Sequence, residues 1–214
     1  MQINKNLHAF FWESMTQNNC NTYLIDGSAK VLIDPGHAEM FYNVENELKS
    51  ISLSIEDIDL IICTHAHPDH IESVRFFSNS DTKITIHGND WQLIKSMEQY
   101  VKVSFSPDFF LKDGDLNIGD IKLKIYHTPG HSPGSITVYW PEQKTLFTGD
   151  LIFNNGLGRT DLPGGDGEKL KDSIIKLSNL ETEIMLSGHG NMVSGADAVK
   201  KNFETVQQYW FSFI

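Results

Sequence analysis

The segment Thr64-His65-Ala66-His67-Pro68-Asp69-His70 places three histidines and an aspartate within seven residues, directly after the apolar run Leu60-Ile61-Ile62-Cys63. Crowded imidazoles repel when protonated and compete for water when neutral, whereas a divalent transition metal satisfies them together with the carboxylate. Metal chemistry is therefore the first expectation. Three further strand-like runs end in a residue able to bind metal. Leu123 to Tyr126 leads into His127-Thr128-Pro129-Gly130-His131, Leu146-Phe147 into Thr148-Gly149-Asp150, and Met185-Leu186 into Ser187-Gly188-His189-Gly190. One histidine after one strand is ordinarily structural, but loops gathered at one edge of a rigid sheet are where sites are built. The glycines beside these residues let backbone approach a bound ion or substrate closely. A closed structural zinc site commonly draws on cysteine thiolates, and no cysteine stands in any of the four motifs. An open, catalytic site is expected.

The elements that must carry these residues follow from pattern. Ala9 to Trp12, Thr22 to Ile25 and Val31 to Ile33, the last closed by Asp34-Pro35-Gly36, read as neighbouring antiparallel strands. Met40, Val44, Leu48 and Ile51 recur at helical spacing. Ser54-Ile55-Glu56-Asp57 has the form of a helix start ahead of the Leu60 to Cys63 strand. A short helix through Val74 to Phe77 and a strand from Lys83 to Ile86 follow. In the second half, Leu116 to Tyr126 forms a hairpin turning at Gly119-Asp120, and Ser135 to Trp140 pairs with Thr145 to Phe147 across Pro141 to Lys144. A helix from Glu168 to Leu180, a strand Ile184 to Leu186 and a helix from Ala196 to Tyr209 close the chain. Each half thus reads as strands then helix, which suggests two packed sheets with helices outside. No linker or repeat divides it, so residues 1–214 are expected to form one domain.

Composition excludes several functions. The chain has 214 residues, 40% of them hydrophobic, enough for a full core. Its net charge of −11 argues against nucleic acid, whose binding rests on clustered Lys and Arg. The N-terminus lacks a basic region followed by an apolar stretch and no segment is long enough to span a bilayer, pointing to a cytoplasmic protein with no membrane partner. Cys20 and Cys63 are too few for a disulfide framework and are expected to be structural. The aromatic ending Tyr209 to Ile214 suits packing on the chain's own surface or on a second copy, the former preferred. Trp91, Phe105, Phe109 and Phe110 suit either a lid or the core.

Together these motifs resemble the metallo-β-lactamase superfamily, whose pattern is Thr-His-x-His-x-Asp-His followed by a distant His, Asp and His. The resemblance runs from Asn21 through Gly190. It implies an α+β fold, a four-layer αββα sandwich of two mixed β-sheets, with the site at one edge. By position it implies His65, His67 and His131 for one metal, Asp69, His70 and His189 for a second, and Asp150 between them. Six side chains plus a shared carboxylate exceed the needs of one tetrahedral ion, so two divalent ions are expected, zinc first, with iron or manganese as alternatives. His127 falls outside the pattern and reads as a strand-end residue or a support for its neighbours. The expected chemistry is attack by a hydroxide bridging two metal ions, with Asp69 orienting it or taking its proton.

The stretch from Asp150 to Asp166, with Gly158-Arg159-Thr160-Asp161, looks like the glyoxalase II-like branch in its compact form, similar to hydroxyacylglutathione hydrolases. That implies a small-molecule thioester substrate, and thiolate is a leaving group that needs no dedicated acid. Arg159 fills the basic position used for glutathione in that branch, Asp161 stands where a tyrosine is usual, and the chain ends soon after the helix with Val199 and Phe203. Arg159 is therefore read either as a substrate contact or as the partner of Asp161. A rival enzyme reading is a persulfide dioxygenase, similar in the same motifs, holding one iron with His65, His131 and Asp150. A non-enzymatic metal-binding or interaction module is the third reading. Loss of a ligand would be its mark, and none is lost.

Overall fold

The computed structural model describes residues 1–14, 16–78, 80–97 and 105–214. The first sheet orders its strands as in the sequence: β1 (Gln2–Asn4), β2 (Leu7–Phe10), β3 (Thr22–Asp26), β4 (Lys30–Ile33), β5 (Leu60–Ile62), β6 (Lys83–His87) and β7 (Phe109–Leu111). β1 to β4 pair antiparallel, as expected from their sequence. From β4 onward the pairing is parallel, because helical crossovers intervene: α1 (Phe41–Ser50) before β5, then α2 (Pro68–Ile71) before β6. α3 (Gly88–Ser96) follows β6. The second sheet contains β8 (Gly114–Ile118), β9 (Ile121–His127), β10 (Ile136–Trp140) and β11 (Thr145–Gly149) as an antiparallel meander. After a short hairpin, β12 (Ile152–Phe153) and β13 (Gly156–Leu157), and α4 (Gly167–Leu177), β14 (Ile184–Ser187) joins parallel to β11. β15 (Val193–Ser194) and α5 (Ala196–Trp210) end the fold.

Alternation along the strands fixes the layers. In β5, Leu60 and Ile62 point between the sheets while Ile61 and the following Cys63 point outward. β3 and β4 divide in the same way, with Tyr23, Ile25, Val31 and Ile33 inside and Leu24 and Leu32 outside. A strand apolar on both faces is one covered on both faces. The inner face meets Ile136, Val138, Trp140, Phe147 and Leu186 of the second sheet, and the outer face is covered by Phe41, Val44 and Leu48 of α1 and Ile94 of α3. On the other side, Leu146 and Met185 face Leu170, Ile174 and Leu177 of α4 and Val199, Phe203 and Val206 of α5. The result is the αββα sandwich anticipated from the sequence.

Differences are local. α1 buries Phe41 rather than Met40, which is half-buried, and the segment at Ser54 is a 3-10 turn held by a reciprocal capping box with Asp57 rather than a long helix. α3 was not expected from periodicity, since only Asp90 and Ile94 of its nine residues are buried. Trp91 and Phe105 pack on one another at 5.7 Å against the outer core, while Phe109 and Phe110 are exposed. At the C-terminus Trp210 Nε1 donates to the Asn155 carbonyl at 2.9 Å and Phe211 and Ile214 pack on the outer core, leaving Phe213 78% exposed. Both cysteines are buried and unpaired, and burial pushes the Cys20 thiol up to about 12.

Phe147 lies between the sheets with its ring against Tyr23 at 5.5 Å. Phe147→Ala is expected to cost about 3–5 kcal/mol in denaturant unfolding, and Phe213→Ala less than about 0.5 kcal/mol.

Candidate metal centre

Strand direction alone brings the four motifs together. β9 and β11 each run antiparallel to β10 and therefore parallel to one another, and β14 runs parallel to β11. Their C-terminal ends, which lead to His131, Asp150 and His189, lie on one edge of the second sheet. β5 delivers its loop to the same edge, where the Ile136 amide donates to the Thr64 carbonyl at 2.9 Å. Asn21 and Tyr23 tie the first sheet to the His189 loop: the Asn21 amide donates to the Gly188 carbonyl at 2.7 Å and Tyr23 Oη to the Ser187 carbonyl at 2.6 Å.

His67 caps α2 and Pro68 opens it, its fixed φ suited to a first helical turn that sets Asp69 and His70 side by side. His131 Nε2 lies 2.7 Å from His67 Nδ1 and 3.2 Å from His65 Nε2. Asp150 spans the rest: its Oδ1 is 3.3 Å from His70 Nε2, and its Oδ2 is 3.6 Å from His131 Nε2 and 3.3 Å from His189 Nε2. His189 Nε2 is also 3.3 Å from Asp69 Oδ2. Among the described residues, three groups of donors close enough to share an ion emerge: His65, His67 and His131; His65, His70 and Asp150; Asp69, His70 and His189. All seven residues expected from the sequence are thus brought together.

Supporting contacts decide which ring nitrogen faces the cluster. His131 Nδ1 donates to the Arg159 carbonyl at 2.8 Å and His70 Nδ1 donates to Asp34 Oδ2 at 2.8 Å, so each turns its Nε2 toward the cluster. Asp34 also accepts from the Thr64 amide and hydroxyl at 2.7 and 2.6 Å. Asp90, fully buried in α3, accepts from the Ala66 amide and the Ser132 hydroxyl, both at 2.7 Å, and from the Gly134 amide, joining the two histidine loops from beneath. Asn18 Nδ2 donates to Asp69 Oδ2 at 2.8 Å. None of Asp34, Asp90 and Asn18 stood out in the sequence. Asp34 reads there only as the first residue of a Pro-Gly turn, and Asp90 and Asn18 lie in no motif or periodic element.

Charge divides the cluster. Burial, reinforced by the neighbouring imidazoles, pushes His65 far below the ordinary histidine range and His67 down to about 4; burial lowers His131 as well. These three are neutral at pH 7 and offer lone pairs. Burial opposes charge on His70 and His189 too, yet Asp150 and Asp34 raise His70, and Asp150 and Asp69 lift His189 to about 9. For Asp150 burial is outweighed by His70, His189 and His65, which hold its carboxyl well below the usual range.

The residues fit divalent metal. His70 Nε2 and Asp150 Oδ1 are buried, face one another and have no hydrogen-bond partner, and an orphaned buried donor set is what a cation satisfies. Gly188 leaves that space open, since a Cβ there would lie 2.1 Å from Asp150 Oδ1 and 2.7 Å from His70 Cε1. His127 is apart from the cluster: it stacks on His87 at 4.1 Å and its Nε2 donates to the Pro133 carbonyl at 2.9 Å, bracing the His131 loop. Arg159 lines the cavity above the cluster while its Nε and Nη2 donate to the two oxygens of Asp161 at 2.9 and 2.8 Å.

An αββα sandwich with such a cluster at its edge defines a class of metallo-hydrolases, and residues 15–189 match the Metallo-beta-lactamase superfamily. The chain belongs to that superfamily. It is 36% identical over 183 residues to the probable metallo-hydrolase YqgX of Bacillus subtilis, covering 78% of this chain and 83% of the relative. It is 31% identical over 204 residues to the hydroxyacylglutathione hydrolase GloC of Haemophilus influenzae, covering 87% and 92%. The crystal structure of TTHA1623 in a di-iron-bound form superposes with a TM-score of 0.72 at 28% identity, covering 88% and 92%.

Asp34→Ala frees the His70 ring and is expected to weaken the chain's affinity for divalent metal about 10- to 100-fold, read by competition with a chromogenic chelator. Unchanged affinity in a folded variant would contradict this positioning role.

Proposed function

We propose that this chain is a metal-dependent hydrolase of small thioesters. In this reading His65, His67 and His131 would hold one divalent ion, Asp69, His70 and His189 a second, and Asp150 would serve both, since its carboxylate lies near His131 of the first set and near His70 and His189 of the second. That last observation carries the reading, for it supports two ions in a donor set too large for one. Zinc suits the mixed nitrogen and oxygen donors, as do iron and manganese. Residues 1–214 act as one domain, taken as cytoplasmic, and no helix among the described residues is long and apolar enough to cross a membrane.

A pair of divalent ions lowers the pKa of water toward neutrality and polarises a carbonyl. The chain supplies the remaining parts. Asp69, held by Asn18 and beside His189, orients the attacking water and accepts its proton. Water oxygen adds to the acyl carbon, the carbon–sulfur bond breaks, and the products are a carboxylic acid and a thiol. Among the described residues the cavity wall has no lysine, tyrosine, cysteine or glutamate, and its histidines and aspartates are assigned to the ions, which favours a leaving group such as thiolate that needs no dedicated acid. The hydrolase names carried by relatives at about a third identity support the same class. The rival one-iron persulfide dioxygenase would use His65, His131 and Asp150, of which His131 is within reach of both others.

Metal-loaded protein assayed for thiol release from thioesters and for oxygen uptake with a persulfide separates the two: thiol release without oxygen uptake is expected, and oxygen uptake at one iron per chain would overturn the proposal. Asp69→Ala is expected to lower thioester turnover by roughly 10²- to 10⁴-fold. Near-normal turnover with both ions retained would remove Asp69 from this role.

A further inference from the structure

We infer that the substrate is a thioester with an apolar, uncharged arm, an aliphatic acyl or alkyl chain, rather than a conjugate of a charged peptide thiol such as glutathione. This rests on the hydrolase reading above and concerns the cavity that opens onto the donor cluster. The cavity holds about 560 Å³, within the range of small-molecule sites. Its floor is polar, made by Asp69, Asp150 and the histidines; its walls are apolar, made by Leu93 and Ile94 of α3 and Met97 just after it, Phe153 of β12, and Leu162 and Pro163.

Two features make these walls a preformed slot for apolar matter. Leu93 and Met97 are only half-buried, so that part of their apolar surface is left for the cavity while Ile94 beside them is buried. The loop carrying Leu162 and Pro163 is held beside α3 by Gly164, at φ +84° and packed so tightly on Pro133 that a Cβ would lie 2.5 Å from its Cγ; the same Cβ would lie 3.9 Å from Leu93 Cδ1. The loop and α3 thus pack together as one apolar wall, and an arm laid on it displaces water from apolar surface without first ordering that wall.

Charge among the described residues disfavours the peptide thiol. A glutathionyl group carries two carboxylates and one ammonium, and a buried carboxylate requires a cationic or donor partner. Arg159 is the only lysine or arginine among the described lining residues, and its Nε and Nη2 already donate to Asp161. An apolar arm meets none of these costs and gains about threefold to fourfold in affinity per buried methylene.

Two readouts on the metal-loaded chain test this. The first is thiol release from N-acetylcysteamine thioesters with acyl chains from acetyl to octanoyl, from S-acetyl alkanethiols of ethyl to octyl, and from S-lactoylglutathione. The second is calorimetric binding of the non-hydrolysable S-alkyl N-acetylcysteamine thioethers. The expected result is a rise of kcat/KM of about threefold to fourfold per methylene along one of the two thioester series. The thioethers should follow the same slope, S-lactoylglutathione should fall at least tenfold below the best chain, and Leu93→Ser and Met97→Ser should flatten the slope. Flat dependence on chain length, or preference for S-lactoylglutathione, overturns the inference while leaving the hydrolase reading in place. Graded thioether binding with no thiol release from any thioester retains the apolar slot and overturns the hydrolase reading instead.

Discussion

The structure depends on how the Asp150 carboxylate is kept. Its side chain is only 10% exposed, and isolating a carboxylate from water costs several kcal/mol unless compensating charges and donors surround it. Here they come from three places in the chain: His70 from α2 after β5, His131 from the loop after β9, and His189 from that after β14. No one segment can satisfy Asp150, so the cluster forms only when both sheets are closed. Inter-sheet contacts from Asn21, Tyr23 and Thr64 to Gly188, Ser187 and Ile136 lock that closure at the very edge where the cluster sits.

A second layer of acids keeps the histidines turned the right way. Asp34 holds His70 and Thr64, and Asp90 holds Ala66, Ser132 and Gly134, so that two loops distant in sequence share one rigid base. The electrostatic outcome is two unlike halves, one of three neutral imidazoles and one rich in carboxylates. A single field from Asp150 reaches both, which is why a metal in one half is expected to alter the affinity of the other.

Much of this was legible in the sequence because it is periodic or dense. Two-residue alternation through β9 and the fully apolar runs of β4 and β5 are strong strand signals, and four ligand-bearing strand ends are a strong site signal. The orientation of those strands followed from the hairpin lengths between β8 and β11. What escaped is what depends on three-dimensional proximity alone. Asp34 and Asp90 differ from surface acids only in what folds over them, and α3 buries too few residues for its stripe to rise above noise. The parallel part of the first sheet was carried only by the resemblance, which implies mixed sheets, since direction across a crossover is set by packing rather than by local pattern. Arg159 showed both readings to be compatible: it pairs with Asp161 and lines the cavity at once.

The arrangement around Asp150 is most sharply examined by the zinc content of the metal-free chain after titration, measured by native mass spectrometry beside His189→Ala. Two ions per chain, falling to one when His189 is removed, is the result that a shared carboxylate between two donor groups predicts. Saturation at one ion in both proteins would contradict it.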